Sequence, residues 1–197
     1  MMYSRFFMTI IINKDEFSNK KKIMLKQLTN SVFIYPTDTI YGIGCSALDE
    51  GLVQRVRDIK KRFSMPFSII APSKEWIRET CELTPEAEKW IKKLPGPFTL
   101  ILKLKNPDLL PEQVNQGLET IGVRIPDNWF SKIVEELGVP IITTSANLTG
   151  GNYMVSLDDL HPKIKNQVDF IVYEGVLKGK PSTLIRLDQG LEQIEKR

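Results

Sequence analysis

The chain has 197 residues, 42% of them hydrophobic and 26% charged, which is ample for one domain with a sizeable core and excludes disordered, collagen-like and mucin-like classes. Two cysteines and one histidine argue against a disulfide framework or a zinc site and favour a reducing, cytoplasmic location. The formal net charge is only +3, but residues 1–62 hold 11 basic and 6 acidic side chains. Such a local excess suits a phosphorylated small molecule as well as a polynucleotide.

Strands and helices alternate along the predicted chain. The apolar run within residues 1–13 predicts a strand, because it is too short to cross a bilayer and charged residues follow it instead of a signal-peptide cleavage site. Hydrophobic patterning then predicts helices over 17–28, 50–61 and 85–94, and one that is capped by Asp127 or Asn128 and runs through Leu137. It predicts strands over 31–35, 67–71, 99–105, 120–125, 140–144, 170–173 and 183–187. This alternation indicates an α/β fold, and hairpin-like spacings near the end favour a mixed sheet.

We predict one domain over 1–197, with 1–16 as an N-terminal strand extension and 17–197 as the core that carries the motifs. In the first helix, Phe17, Met24 and Leu28 are expected to face the core, helped by Ile23 and Leu25.

The segment 35–44 directly follows a predicted buried strand. Open α/β sheets bind ligands beyond the carboxyl ends of their strands, and this segment offers the hydroxyls of Thr37 and Thr39, the carboxylate of Asp38 and two glycines. A ligand-binding loop and an ordinary turn with hydroxyl capping are about equally well supported by these residues.

Three cations, Lys60, Lys61 and Arg62, end the helix predicted over 50–61. Each can simply complement the negative end of the helix dipole. Together they make a polyphosphate site plausible, since an arginine grips phosphate with two parallel hydrogen bonds. No Walker A or G-x-G-x-x-G sequence follows a strand, so side-chain cations would have to neutralise a nucleotide's phosphates.

Small polar residues also follow the strand predicted over 140–144. Ser145, Asn147 and a Gly pair can form an anion-binding loop or simply a turn. Arg124 lies among apolar residues of another strand, where it either faces solvent or clamps a carboxylate. Residues 95–99 are interpreted as a rigid structural turn, and Cys45 as a small core residue.

In this order, the segments resemble the YrdC-like family of L-threonylcarbamoyladenylate synthases from about residue 17 onward. The matching pieces are Tyr35-Pro36-Thr37-Asp38-Thr39 with Tyr41-Gly42, Lys60-x-Arg62, Pro95-Gly96-Pro97-x-Thr99, Thr120-x-Gly122-x-Arg124-x-Pro126, Ser145-Ala146-Asn147 and Pro181-Ser182-Thr183. Each motif alone is weak, whereas six in the right order are specific.

The resemblance implies a twisted mixed sheet flanked by helices, with a basic concave cavity. It implies synthesis of L-threonylcarbamoyl-AMP from L-threonine, bicarbonate and ATP with release of pyrophosphate, for the threonylcarbamoyladenosine at position 37 of tRNA. The implied catalytic set is Lys60, Arg62, Ser145 and Asn147; these residues, Thr120 and Arg197 would bind ATP. The implied L-threonine-binding set is Thr37, Arg124, Thr143 and Ser182, with Arg124 on the carboxylate.

Further expectations follow from the same resemblance. Mg²⁺ is expected to arrive with ATP and to have few protein ligands, so no protein metal site is predicted. The expected partners are the three substrates, downstream threonylcarbamoyl-transfer proteins and tRNA, with direct RNA binding also possible and no membrane.

The sequence departs from the family pattern at Phe63, where Pro is usual, and at Tyr153, where a small hydroxyl residue is common. A histidine that is common near Ile69 is also missing. Other stretches resemble YciO, a paralogue, so a non-catalytic double-stranded RNA- or tRNA-binding protein of that type remains an alternative. An enzyme that forms carbamoyl-adenylate is a second alternative.

Overall fold

A computed structural model describes residues 9–189 and 192–196. In this part of the chain, ten strands form one sheet in the order β1-β8-β2-β3-β7-β4-β6-β5-β9-β10. The strands are β1 (Ile10–Ile12), β2 (Phe33–Tyr35), β3 (Gly42–Gly44), β4 (Ser68–Ile70), β5 (Phe98–Lys103), β6 (Thr120–Arg124), β7 (Ile141–Ser145), β8 (Phe170–Val172), β9 (Thr183–Arg186) and β10 (Gln193–Glu195).

The sheet is mixed, as predicted. Four neighbouring pairs are parallel, namely β1 with β8, β2 with β8, β4 with β6, and β5 with β9, and the other five are antiparallel. The late strand β8 lies between β1 and β2, the two earliest strands described. The sheet is therefore complete only when distant parts of the chain have come together.

Eight α-helices flank the sheet among the described residues. They are α1 (Lys14–Asn19), α2 (Lys21–Thr29), α3 (Glu50–Lys60), α4 (Lys74–Thr80), α5 (Pro85–Lys93), α6 (Glu112–Asn115), α7 (Trp129–Leu137) and α8 (Pro162–Lys165), with 3₁₀ turns at Pro107–Leu109 and Leu157–Asp159. None of these helices is long and apolar enough to cross a membrane.

Side-chain caps explain why several helices begin where they do. Asp49, Ser73, Thr84 and Asn128 each accept a hydrogen bond from a backbone N–H in the first turn of α3, α4, α5 and α7, respectively. Gly138 ends α7 with a φ of 68°, in the left-handed region that glycine adopts without strain.

The helix predicted over 17–28 is instead two helices. The side chain of Asn13 accepts from the Glu16 N–H and starts α1 early, and the break falls at Lys20, whose φ of −111° is not helical. Phe17, Met24 and Leu28 are buried as expected, but Ile23 is 62% exposed, so its predicted place on the core face is wrong.

Each face of the sheet carries its own core. Helices α1, α2 and α7 contribute to a smaller cluster that includes Phe17, Leu28 and Phe130, with Tyr35 and Ile141 supplied by the sheet. The larger cluster covers the other face and contains residues of α3, α4 and α5. Cys45 is buried in it, which confirms the interpretation as a core residue.

Five strands and α-helices were not predicted from the sequence: β3, α4, α6, α8 and β10. Strand β3 contains two glycines, which disfavour strands in general, yet both face the ring of Tyr35 on β2. The strand predicted near the N-terminus is confirmed for Ile10–Ile12, while residues 1–8 lie outside the described residues.

Candidate functional site

A solvent-open cavity of about 100 Å³ lies over one face of the sheet. Strand register builds it, because Thr143 on β7 pairs with Ser68 on β4, and Ser68 pairs with Gly122 on β6. Paired residues share a face of a sheet, so small polar side chains from neighbouring strands line up across the floor. The lining residues are Thr37, Thr39, Ile40, Tyr41, Gly42, Arg62, Pro66, Phe67, Ser68, Thr99, Arg124, Thr143, Thr144, Ser145, Tyr153, Pro181 and Ser182.

The two charged residues among these are Arg62 and Arg124, so the cavity is basic. Arg124 is 6% exposed and its Nη2 lies 2.5 Å from Oδ1 of Asp38. The other carboxylate oxygen of Asp38 accepts the Asp127 N–H at 3.0 Å. Thr39 Oγ1 lies 3.4 Å from both terminal nitrogens of Arg124. These contacts fix the guanidinium at the cavity wall.

The hydroxyls predicted to hold L-threonine lie in the same cavity as Arg124. Thr37 Oγ1 donates to the Ile40 carbonyl at 2.7 Å and is 2.8 Å from Thr39 Oγ1. Ser182 Oγ is 2.8 Å from Thr99 Oγ1, which joins the segment before β9 to β5. The structure therefore brings together all four residues of this set, from four separate segments.

Lys60, by contrast, lies beneath the loop that follows β7. It is 1% exposed, and its Nζ donates to the carbonyl oxygens of Ser145 and Asn147, the latter at 2.7 Å, and to Asn147 Oδ1 at 3.2 Å. Thr149 adds hydrogen bonds to the Lys60 carbonyl from its N–H and its hydroxyl. Lys60 thus shapes the loop, whereas its ammonium is not among the groups lining the cavity.

Burial, and secondarily the positive charge of Arg62, lowers the pKa of Lys60 to about 7. The three oxygen acceptors match the three N–H donors of an ammonium group, so the protonated form is the one that holds the loop.

The three cations at the end of α3 have different surroundings. Lys61 is exposed and adopts a left-handed backbone conformation with a φ of 53°. Arg62 is half-buried at the cavity, with Nη2 donating to the Pro66 carbonyl at 2.9 Å and Nη1 lying 3.4 Å from Thr144 Oγ1. Arg62 is consequently the cation of this group that an anion in the cavity would meet.

Ser145 and Asn147 are coupled to each other. Ser145 Oγ donates to Asn147 Oδ1 at 2.5 Å, and Asn147 Nδ2 donates to the Gly151 carbonyl at 2.6 Å. Ser145 lines the cavity, while Asn147 lies behind it, next to Lys60. Three members of the predicted catalytic set therefore form one hydrogen-bonded unit.

Thr120 and Arg197 are the remaining predicted ATP contacts. Thr120 begins β6, four residues from Arg124, and is not among the cavity residues; at about 3.3 Å per residue it lies at the far end of the strand. Arg197 lies outside the described residues.

Several cavity residues were missed from the sequence. Thr99 belongs to a segment interpreted as purely structural, and Ser68 begins a strand otherwise made of apolar residues. Tyr153 lines the cavity and is 45% exposed. Alternation along β4 and β5 could have placed Ser68 and Thr99 on one face, but only pairing with β6 and β7 shows which face holds the cavity.

Among the described residues, no group of three or more His, Cys, Asp or Glu side chains is placed to hold a metal ion. The cavity lining taken from those residues contains hydroxyls and guanidinium groups rather than carboxylates, a set of groups that suits anions better than hard cations.

Fold and site together define an α/β protein with a basic cavity on one face of a mixed sheet. The model of the Sua5/YciO/YrdC family, described as "Telomere recombination", matches residues 27–196, and the chain belongs to this family.

Similar proteins in other organisms include threonylcarbamoyl-AMP synthases. The chain is 32% identical over 208 residues to the threonylcarbamoyl-AMP synthase of Pyrococcus abyssi, covering 96% of this chain and 61% of that protein. It is 36% identical over 184 residues to a protein of Methanocaldococcus jannaschii that is provisionally named threonylcarbamoyl-AMP synthase. The match covers 90% of this chain and 84% of that protein. The chain thus spans less than two thirds of the Pyrococcus protein.

Solved structures agree with the fold. Pyrococcus abyssi Sua5 complexed with L-threonine superposes with a TM-score of 0.80 at 28% identity, over 92% of this chain and 54% of that one. Escherichia coli YciO superposes with a TM-score of 0.78 at 26% identity, over 94% and 93%. The predicted fold class, a mixed sheet flanked by helices, is therefore confirmed.

Proposed function

We propose that this protein synthesises L-threonylcarbamoyl-AMP from L-threonine, bicarbonate and ATP, releasing pyrophosphate. The observation that carries the proposal is the convergence of Thr37, Arg124, Thr143 and Ser182 with Arg62 and Ser145 in one cavity. Membership of a family that includes threonylcarbamoyl-AMP synthases supports it, as does a related structure that binds L-threonine.

The cavity suits an amino acid at one end. Arg124 is held by Asp38 in an orientation that faces the cavity, and a guanidinium binds a carboxylate with charge-assisted hydrogen bonds. The hydroxyls of Thr37, Thr143 and Ser182 surround the same space and can accept or donate to the hydroxyl and amino groups of threonine.

ATP would lie toward Arg62 and Ser145. In the proposed step an oxygen of the carbamate formed from threonine and bicarbonate attacks the α-phosphorus of ATP, and the bond to the leaving pyrophosphate breaks. Attacking and leaving groups are both anionic, so fixed cations and donors must offset their charge. Arg62 supplies the cation, and the Ser145–Asn147–Lys60 unit holds the loop beside it.

Mg²⁺ enters this proposal as the ion bound to the ATP phosphates, where it would offset charge on the leaving group. The product would supply the threonylcarbamoyl group for position 37 of tRNA through separate transfer proteins.

The test is incubation of the protein with ATP, bicarbonate, Mg²⁺ and radiolabelled threonine, followed by chromatography. Labelled adenylate and an equal amount of pyrophosphate are expected. Arg124→Gln should lose the product, whereas Arg55→Lys should retain it, because Arg55 pairs with Asp169 on the outside of α3. Absence of product with the unsubstituted protein would refute the proposal.

The local basic excess keeps an RNA-binding function as the second candidate. Lys20, Lys22 and Lys26 are exposed on and beside α2, and phosphate-driven binding would weaken steeply with salt. Salt-sensitive RNA binding that ATP does not displace, without adenylate formation, would favour that candidate over the synthase.

A further inference from the structure

The turn that joins α3 to β4 presents Arg62 to the cavity but has little support of its own. Residues 61–67 contain no helix or strand. The side chains of Phe63 and Met65 are 58% and 57% exposed, so they contribute little packing. Phe67 anchors the far end of the turn in the core, but side-chain burial does not fix the backbone next to Arg62.

Arg57, on the last turns of α3, provides this support. It is 2% exposed, yet it carries a guanidinium. Its Nη1 donates to the carbonyl oxygens of Arg62 at 2.8 Å and Met65 at 3.1 Å. Its Nε and Nη2 donate to the carbonyl oxygens of Gln113 at 2.6 Å and Val114 at 3.3 Å. One planar group therefore ties the turn to helix α6.

Gln116 and Phe67 complete the arrangement. The Gln116 amide has one orientation in which both its nitrogen and its oxygen have hydrogen-bond partners. In this orientation the nitrogen donates to the Phe63 carbonyl at 2.8 Å and the oxygen accepts from Arg57 at 3.0 Å. The Arg57 guanidinium lies 4.4 Å from the centre of the Phe67 ring, and that of Arg62 lies 5.5 Å from the same ring.

This geometry holds two cations close together beside the cavity. The hydrogen bonds that Arg57 makes go to neutral carbonyl oxygens, so they orient its charge without cancelling it. Burial, and secondarily the charge of Arg62, lowers the pKa of Arg57. A polyanion bound at Arg62 would relieve the repulsion between the two guanidinium groups, which favours phosphate binding.

We propose that Arg57 is a positioning residue for ATP binding, which fixes the 61–67 turn and thereby sets where the Arg62 guanidinium meets the phosphates. The inference rests on the proposed function, because it assigns Arg62 to ATP. Arg57 itself does not line the cavity and acts through Arg62.

The test compares Arg57→Lys with the unsubstituted protein in two measurements. Lysine keeps the charge but cannot bridge four carbonyl oxygens in a planar fork. We expect the KM for ATP to rise about tenfold, equivalent to about 1.4 kcal/mol, while the KM for threonine changes less than about twofold. The affinity for inorganic pyrophosphate, measured by calorimetric titration and therefore without turnover, should fall by a similar factor.

Two further variants keep the test decisive. Arg55→Lys, on the same helix, is the matched control, since Arg55 contacts Asp169 and Gln167 instead of the turn; its KM for ATP should not change. Gln116→Gly removes the amide, and glycine tolerates the φ of 62° at that position. This variant should also raise the KM for ATP, and it provides the test if Arg57→Lys does not fold.

The outcomes separate this inference from the proposed function. An unsubstituted protein that makes no adenylate refutes the proposed function. A competent protein whose Arg57→Lys and Gln116→Gly variants bind ATP and pyrophosphate normally, or lose threonine and ATP affinity equally, refutes the positioning role.

Discussion

Asp38 shows how a residue that does not line the cavity can govern one that does. Its carboxylate holds Arg124 at 2.5 Å and is itself fixed by the Asp127 N–H at 3.0 Å. Both side chains of the pair are less than a tenth exposed. The pair therefore determines which edge of the guanidinium is left toward a substrate carboxylate.

Asp38→Asn should consequently weaken threonine binding. The amide keeps the size of the side chain but loses the charge that orients Arg124, so we expect the KM for threonine to rise about tenfold or more. The KM for ATP should change little. Steady-state kinetics with each substrate varied measures both values, with Glu136→Gln, which breaks the exposed pair with Lys21, as the control. An equal loss of affinity for both substrates would contradict this interpretation.

The lowered pKa of Lys60 leads us to expect that the stability of the fold depends on pH. Its pKa is about 7 in the folded protein and near 10.4 in an unfolded chain. Between these values the unfolded state binds more protons, so the free energy of unfolding should increase with pH, by at most about 1.4 kcal/mol per unit from this group. Below pH 7 the full penalty of burying the charge remains.

The measurement for Lys60 is urea denaturation at pH 6.5 and pH 9 of the unsubstituted protein and of Lys60→Met. The difference in unfolding free energy should shift in favour of the unsubstituted protein at the higher pH, because methionine cannot titrate. A difference independent of pH would mean that the ammonium stays charged throughout, held by its three oxygen acceptors.

At the level of elements, replacing glycine by alanine should have opposite effects on stability in β3 and in α3. A Cβ on Gly44 in β3 would overlap the Ile142 carbonyl oxygen and lie 2.9 Å from the Tyr35 ring. Gly44→Ala should therefore destabilise by about 3 kcal/mol. On Gly51 in α3 the nearest atom is 3.4 Å away, so Gly51→Ala should stabilise by about 0.5–1 kcal/mol. Thermal unfolding of both variants measures the contrast.

Gly44 also shows why some elements could be predicted from the sequence and others could not. Helices α3, α5 and α7 were predicted because capping residues and apolar periodicity lie within a single stretch of sequence. The suitability of Gly44 for a strand depends on the carbonyl of Ile142, which is distant in sequence. No local propensity records such a contact, so β3 was missed.

The candidate site was predictable to a similar extent. Arg124 stood out because an isolated charge within an apolar strand is costly unless it has a partner. Thr99 did not stand out, since a threonine entering a strand is ordinary. Pairing of β5 with β9 brings it next to Ser182, and both hydroxyls line the cavity. Lys60 and Arg62, grouped as one cationic surface, have different surroundings because α3 ends at Lys60 and Lys61 adopts a left-handed backbone conformation, so Arg62 does not continue the helix.

At the level of the whole molecule, ligand binding should stabilise the fold. A ligand present at about 100 times its Kd adds about 2.7 kcal/mol, which for a chain of this size corresponds to about 5–10 °C in Tm. Threonine and a non-hydrolysable ATP analogue should each produce such a shift in differential scanning fluorimetry. Arg124→Gln should abolish the threonine shift and retain that of the analogue; loss of both would show that the two subsites are not separate.

The position of β8 between β1 and β2 has a consequence for biosynthesis. A ribosome delivers β1 and β2 early, but their shared neighbour emerges only after residue 172 has been made. Until then β2 lacks its parallel partner, and an unpaired apolar strand edge invites association with other chains. The cavity therefore cannot form before Ser182 has been made, so we expect nascent chains shorter than this to depend on chaperones and to lack substrate affinity.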